Sequence, residues 1–102
     1  MNKLFLIVLL FVSACAASVK IAPTPEALPS MEEKVPGITL ERANKGFVLY
    51  KAKCAHCHRL HQPAEYTISK WENILNKMYP KARVKDEDQK KLITDYINSL
   101  SK

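Results

Sequence analysis

Cys54-Ala55-His56-Cys57-His58 decides how the rest of the chain is read. Two thiols stand three positions apart, and a histidine follows the second directly. This C-x-x-C-H spacing is that of c-type haem attachment. Each thiol can form a thioether with one of the two vinyl groups on a haem edge. The histidine after the second thiol is then carried beneath the macrocycle, where its imidazole can bind iron. A bare C-x-x-C also serves dithiol redox centres and zinc sites, so the adjacent His58 carries most of the discrimination. Cys54 and Cys57 are therefore expected to anchor one covalent haem, with His58 as an iron ligand.

Upstream, Thr39 can cap a helix over Leu40 to about Lys53, with Glu41 in its first turn. That helix holds Gly46, Leu49 and Tyr50 just before the motif. The run Gly46-Phe47-Val48-Leu49-Tyr50, then three residues, then Cys54 to His58, resembles the N-terminal helix and haem motif of class I cytochromes c. The resemblance implies that Gly46 lets this helix cross the last one closely and that Tyr50 packs into the crossing. An interior helix glycine costs about 1 kcal/mol against alanine, which close packing would offset.

Downstream, Arg59-Leu60-His61-Gln62-Pro63 is polar and broken by proline, and reads as a loop over the haem face. His56 and His61 are expected on the surface. The Pro63 carbonyl is a candidate acceptor for the free ring N–H of His58. Ser69, with Glu72 three residues later, reads as a capping box, and Trp71, Ile74, Leu75 and Met78 then form one apolar stripe that Pro80 ends. The last helix starts at Asp86, boxed with Gln89, and runs to about Leu100. Its stripe is Leu92, Ile93, Tyr96, Ile97 and Leu100, with lysines opposite. Ile93 and Tyr96 resemble the apolar-then-aromatic pair through which the class I C-terminal helix meets the first. No strand-like alternation occurs. The expectation is an all-α, class I cytochrome c-like domain over residues 38–102, with three main helices packed around one covalently attached haem.

The second axial position is assigned to Met78, the only methionine beyond the motif. It stands at the end of a helix, beside the proline, where the backbone can present a thioether inward. His61 and the lysines are the other candidates, and packing in the core stripe is the plainer role for Met78. Class I cytochromes usually place this ligand further from the motif. The shorter spacing, with a tryptophan seven residues before the methionine, is more similar to small cytochrome modules of multihaem and dehydrogenase-linked chains.

At the other end, Lys3 and the apolar run Leu4 to Val12 have the form of an export signal, and the run is too short to span a bilayer. Val12-Ser13-Ala14-Cys15 resembles the lipobox of bacterial lipoproteins. That resemblance implies cleavage after residue 14 and lipidation of Cys15, and the alternative is an ordinary signal cut after Ala17. Two or three acyl chains would anchor the protein stably. Residues 15–37 contain Pro23, Pro25, Pro29 and Pro36 and are expected to form an extended tether, spanning on the order of 60 Å. Met31 lies in it and is a poor platform for ligation.

Charge and length narrow the function. A chain of 102 residues makes one small domain, for which a haem would supply much of the core. The formal charge of +6 comes from scattered lysines, and nucleic acid is not an expected partner. Either a solvated basic surface or a docking face for acidic redox partners accounts for it. No nucleophile and base pair points to a standalone enzyme. The expected function is single-electron transfer between redox proteins by an envelope lipoprotein facing the periplasm, more readily on the outer membrane because Ala16 is not aspartate. Two alternatives stay open. One is a five-coordinate haem sensor or peroxidase-like protein. The other is a haem-free interaction lipoprotein with a Cys54–Cys57 disulfide or zinc.

Overall fold

A computed structural model describes residues 22–55 and 59–102, and Cys15, His56, Cys57 and His58 lie outside them. The described residues contain four α-helices and no strand: α1 (Leu28–Lys34), α2 (Leu40–Cys54), α3 (Ile68–Lys81) and α4 (Glu87–Leu100). Single 3₁₀ turns occur at Pro25–Ala27 and Pro63–Glu65. The all-α expectation holds.

The two helices that form the centre start where their caps predict. Thr39 is extended, and its hydroxyl oxygen accepts the Arg42 N–H at 3.2 Å. The Asp86 carboxylate accepts the Gln89 N–H at 2.9 Å, with Glu87 and Asp88 in the positive first turn. α2 and α4 meet at Gly46. A methyl group there would run into the Leu92 carbonyl oxygen and stand 2.6 Å from Tyr96 Cβ. Hydrogen in place of Cβ is what lets the two backbones come this near. Around the crossing, Tyr96 packs 6.0 Å from the Tyr50 ring and 5.6 Å from the Phe47 ring. Ile93, Tyr96 and Ile97 are wholly buried.

α3 begins earlier than expected. Thr67, not Ser69, is the cap, and its hydroxyl accepts the Lys70 N–H. This earlier start lets the Trp71 N–H bond to the Thr67 carbonyl at 2.9 Å. Pro80 does not stop the helix either, since Lys81 is still helical. Proline there removes a bond only to the carbonyl of Asn76, which is exposed to water. The true stop is a Schellman motif. Val84 N–H reaches the Tyr79 carbonyl at 2.9 Å, Arg83 N–H reaches Pro80 at 3.2 Å, and Arg83 is left-handed with φ 58°. Val84, 1% exposed, packs beside Tyr79 in the same core.

The largest departure is at the N-terminal side. The expected extended conformation of 15–37 is corrected over its described part. Pro25 opens a 3₁₀ turn and Pro29 stands in the first turn of α1, where a fixed φ suits the helix and a missing N–H is no loss. Proline density alone therefore misleads, because position within a turn decides its effect. Met31, 0% exposed, forms a second small core with Ile38 and Ala43, against Leu100 of α4. Gly37, at φ 81°, turns the chain from α1 toward α2.

Candidate functional site

A cavity of about 280 Å³ opens between the C-terminal half of α2, the loop after the motif and α3. Cys54, the last residue of α2, is half-buried in its wall, and Met78 of α3 is half-buried in the same wall. Ile74 is half-buried in it as well, beside the buried rings of Tyr50 and Trp71. The α3 stripe thus divides in two. Trp71, Leu75 and Tyr79, four apart, are buried, while Ile74 and Met78, also four apart, stay partly open where they line the cavity. Tyr79 was absent from the stripe read in the sequence, although the i+4 spacing from Leu75 marks it. Its hydroxyl bridges to α4 through Thr94 at 2.6 Å and the Lys90 carbonyl at 3.0 Å.

The loop is fixed by aromatic side chains. Tyr50 donates to the His61 carbonyl oxygen at 2.6 Å, and the Trp71 indole N–H donates to the Pro63 carbonyl oxygen at 2.7 Å. The carbonyl offered by the sequence to His58 therefore already receives Trp71. Tyr66 stands edge-on to Trp71 at 5.3 Å, and the C-terminal Lys102 N–H closes onto the Tyr66 carbonyl. A reciprocal capping pair between Gln62 and Glu65 shapes the 3₁₀ turn.

His61 is corrected from a surface residue to a wall residue. It lines the cavity half-buried, its ring 5.5 Å from Tyr66 and its Nδ1 3.4 Å from Glu65 Oε1. The Gln62 backbone N–H holds the Glu65 carboxyl below its usual range, and His61 and Arg59 beside it act the same way. Burial pushes the Tyr50 phenol well above its ordinary value, with nearby Cys54 and Glu65 adding to the shift, so Tyr50 remains a neutral donor. Leu60, Tyr66 and His61 were not singled out as wall residues from the sequence. Their common signal is only their closeness to the motif.

Larger depressions, of about 670 Å³ around Lys45, Val48 and Asp88 and about 580 Å³ around Asn76 and Lys91, are surface grooves edged by charged side chains. The smaller cavity differs from both, because apolar walls there surround a thiol, a thioether and an imidazole. The thioether and the imidazole suit a soft or borderline metal more than a hard cation, and the thiol is placed for covalent attachment. The volume stands near the lower end of ligand pockets, and the aromatic lining matches a flat apolar group. The cavity is smaller than a whole haem, and its lining would suit the apolar edge of one attached at Cys54. Among the described residues, no three His, Cys, Asp or Glu side chains group as metal ligands would, a set that excludes Cys57 and His58. Met31, in the second core, takes no part in this wall. Among the described residues no helix is long and apolar enough to cross a membrane.

No family model, no curated protein and no solved structure matches the chain.

Proposed function

We propose that the chain is a monohaem c-type cytochrome, class I-like in architecture, that carries single electrons between redox proteins at the cell envelope. The observation that carries this reading is the apolar cavity at the end of α2, which holds Cys54 of the C-x-x-C-H motif and Met78 in one wall. Cys54 and Cys57 would hold the haem covalently, and His58 and Met78 would be its axial ligands. The haem supplies a one-electron change of the iron, and a thioether ligand favours the reduced form.

The protein's own residues do the rest. Tyr50, Trp71, Ile74 and Leu75 exclude water from the pocket, which lowers the local dielectric and limits reorganisation around a changing charge. The hydrogen bonds of Tyr50 and Trp71 hold the loop wall in place. We place the protein in the envelope facing the periplasm, anchored through lipid on Cys15 and more readily at the outer membrane. Its partners are redox proteins, with no nucleic acid and no enzymatic reaction of its own.

The deciding experiment expresses the full chain in a bacterium with cytochrome c maturation and records visible spectra with and without dithionite. Haem that stays with the polypeptide on a denaturing gel is the expected result. An exported protein with no covalent haem would sink the proposal and favour the haem-free alternative.

A further inference from the structure

We infer that Met31 is a positioning residue of the haem site proposed above: by seating residues 23–38 on the end of α4 it braces the loop wall and limits access of water and small ligands to the cavity. The consequence for iron rests on that haem reading, whereas the brace rests on packing alone.

The segment is seated by its own side chains. Pro23 is buried, Met31 is 0% exposed and Ile38 is 4% exposed. Met31 does not line the cavity, so its effect on the site is carried by packed side chains and hydrogen bonds between them. Leu100 is the first link. Among the described residues it alone packs against both cores, that of Met31, Ile38 and Ala43 and that of Tyr50, Trp71 and Tyr96. Two positions on, the Lys102 backbone N–H donates to the Tyr66 carbonyl oxygen at 3.0 Å. Ser101 between them is 5% exposed, and its hydroxyl donates to the Asn98 carbonyl oxygen at 2.8 Å, so the chain end is held. Tyr66 lines the cavity, its ring 5.3 Å from Trp71 and 5.5 Å from His61.

A second contact runs in parallel. Ala22 and Thr24 face Gln62, Pro63 and Leu100 across a cleft of about 250 Å³. Pro63 is buried, and its carbonyl is the one that the Trp71 indole holds. The same loop is thus held by Tyr50 and Trp71 in the cavity and by the N-terminal segment and the chain end outside it.

This brace is separable from the central packing. No residue of 23–38 belongs to the core where α2, α3 and α4 meet. Undocking should therefore loosen the loop without unfolding the crossing at Gly46. A loosened wall admits water, raises the local dielectric and opens a route to the iron.

The test uses the full haem-loaded chain in an uncharged detergent and compares wild type with Met31→Ala and Met31→Leu. Leucine nearly conserves the volume and serves as the rescue. Amide exchange at residues 61–66 should quicken about tenfold or more in Met31→Ala and return toward wild type in Met31→Leu, while residues 46–50 and 93–97 stay protected. Carbon monoxide should bind the reduced Met31→Ala protein about fivefold faster or more, again with rescue by leucine. Unchanged exchange at 61–66 overturns the brace. Exchange quickened alike in all helices shows a general loss of stability and overturns it too. Quickened loop exchange with an unchanged carbon monoxide rate overturns the positioning role. If Met31→Ala fails to fold, Leu100→Val shortens the shared side chain and must give both changes, at about threefold, for the inference to stand. A chain without covalent haem overturns the haem reading, while the exchange rates still decide the brace.

Discussion

The Tyr50 hydroxyl donates to the His61 carbonyl oxygen at 2.6 Å, which ties the helix carrying Cys54 to the loop that follows the motif. Trp71 makes the matching bond to Pro63 at 2.7 Å, and the two rings meet edge to face with centroids 6.4 Å apart. Two touching aromatic side chains thus hold two carbonyls of one loop. The site wall is a consequence of core packing, because both rings are buried in the same cluster that joins α2, α3 and α4.

Tyr50→Phe keeps the ring and removes the donor. The His61 carbonyl is left partly buried without that partner, which should cost about 1–2 kcal/mol of stability. Amide exchange over residues 59–66 should quicken while the cores of α2 and α4 stay protected. An unchanged denaturation midpoint with unchanged exchange would show that the bond holds nothing in place.

Gly46→Ala should be far worse than a helix-propensity scale suggests. Alanine is the better helix former by about 1 kcal/mol. Here its methyl group collides with the Leu92 backbone and the Tyr96 side chain, and backbone cannot swing aside. A net loss of about 2–3 kcal/mol is expected, read by urea denaturation, with α2 and α4 pushed apart. Alanine at an exposed position of α2, such as Asn44, serves as the control and should change little.

The α2–α4 crossing was legible because its signals are local and agree with one another. Thr39 and Asp86 are caps at the right places, Gly46 is the lone glycine inside α2, and Ile93 and Tyr96 fall on one stripe. What was missed depends on distant partners. Met31 looks like part of a linker until Ile38, Ala43 and Leu100 surround it. Thr67 and Ser69 are equally good caps in isolation, and only the placement of Trp71 separates them. His61 reads as a surface residue because nothing in five neighbouring letters announces that Glu65 and Tyr66 will turn back to it.

Arg83 occupies the left-handed end of α3, a conformation that costs a side-chain-bearing residue on the order of 1 kcal/mol. Arg83 is exposed, so glycine can replace it without opening a cavity. Arg83→Gly should therefore stabilise the protein by up to about 1 kcal/mol, despite the greater freedom of glycine in the unfolded chain. A thermal midpoint lowered by the substitution would contradict this account of how α3 ends.

Alkaline pH should unfold the domain through its tyrosines. Tyr50, Tyr79 and Tyr96 are 4%, 7% and 0% exposed, and burial raises all three phenols, Tyr79 to about 12. Since the folded values lie above the unfolded one, their contribution is complete below about pH 10 and is lost as pH rises through the folded values. Each phenol that the folded state keeps protonated steepens the loss by about 1.4 kcal/mol per pH unit, so three give roughly 4. Denaturation midpoints followed upward from neutral pH should stay level and then fall. Tyr79→Phe should remove about a third of that slope, and an equally steep fall in this variant would remove Tyr79 from the explanation.

Met78 and His61 stand in one cavity wall, and in the proposed cytochrome only one of them would join His58 as a ligand of the haem iron. Helix geometry favours Met78. Its carbonyl accepts the Ala82 N–H at 2.8 Å within the terminating turn of α3, so its backbone is held while the side chain stays half-buried toward the cavity. His61 instead is turned toward Glu65 and Tyr66. Met78→Ala should abolish the weak long-wavelength band of thioether-ligated ferric haem and let the reduced protein bind carbon monoxide. Its reduction potential should fall by about 0.1 V or more, within the roughly 0.8 V that axial ligands command. His61→Ala should leave all three properties nearly as they are. Loss of a low-spin spectrum in His61→Ala, with Met78→Ala unaffected, would transfer the ligand role to the imidazole. It would also mean that His61 exchanges its Glu65 contact for iron.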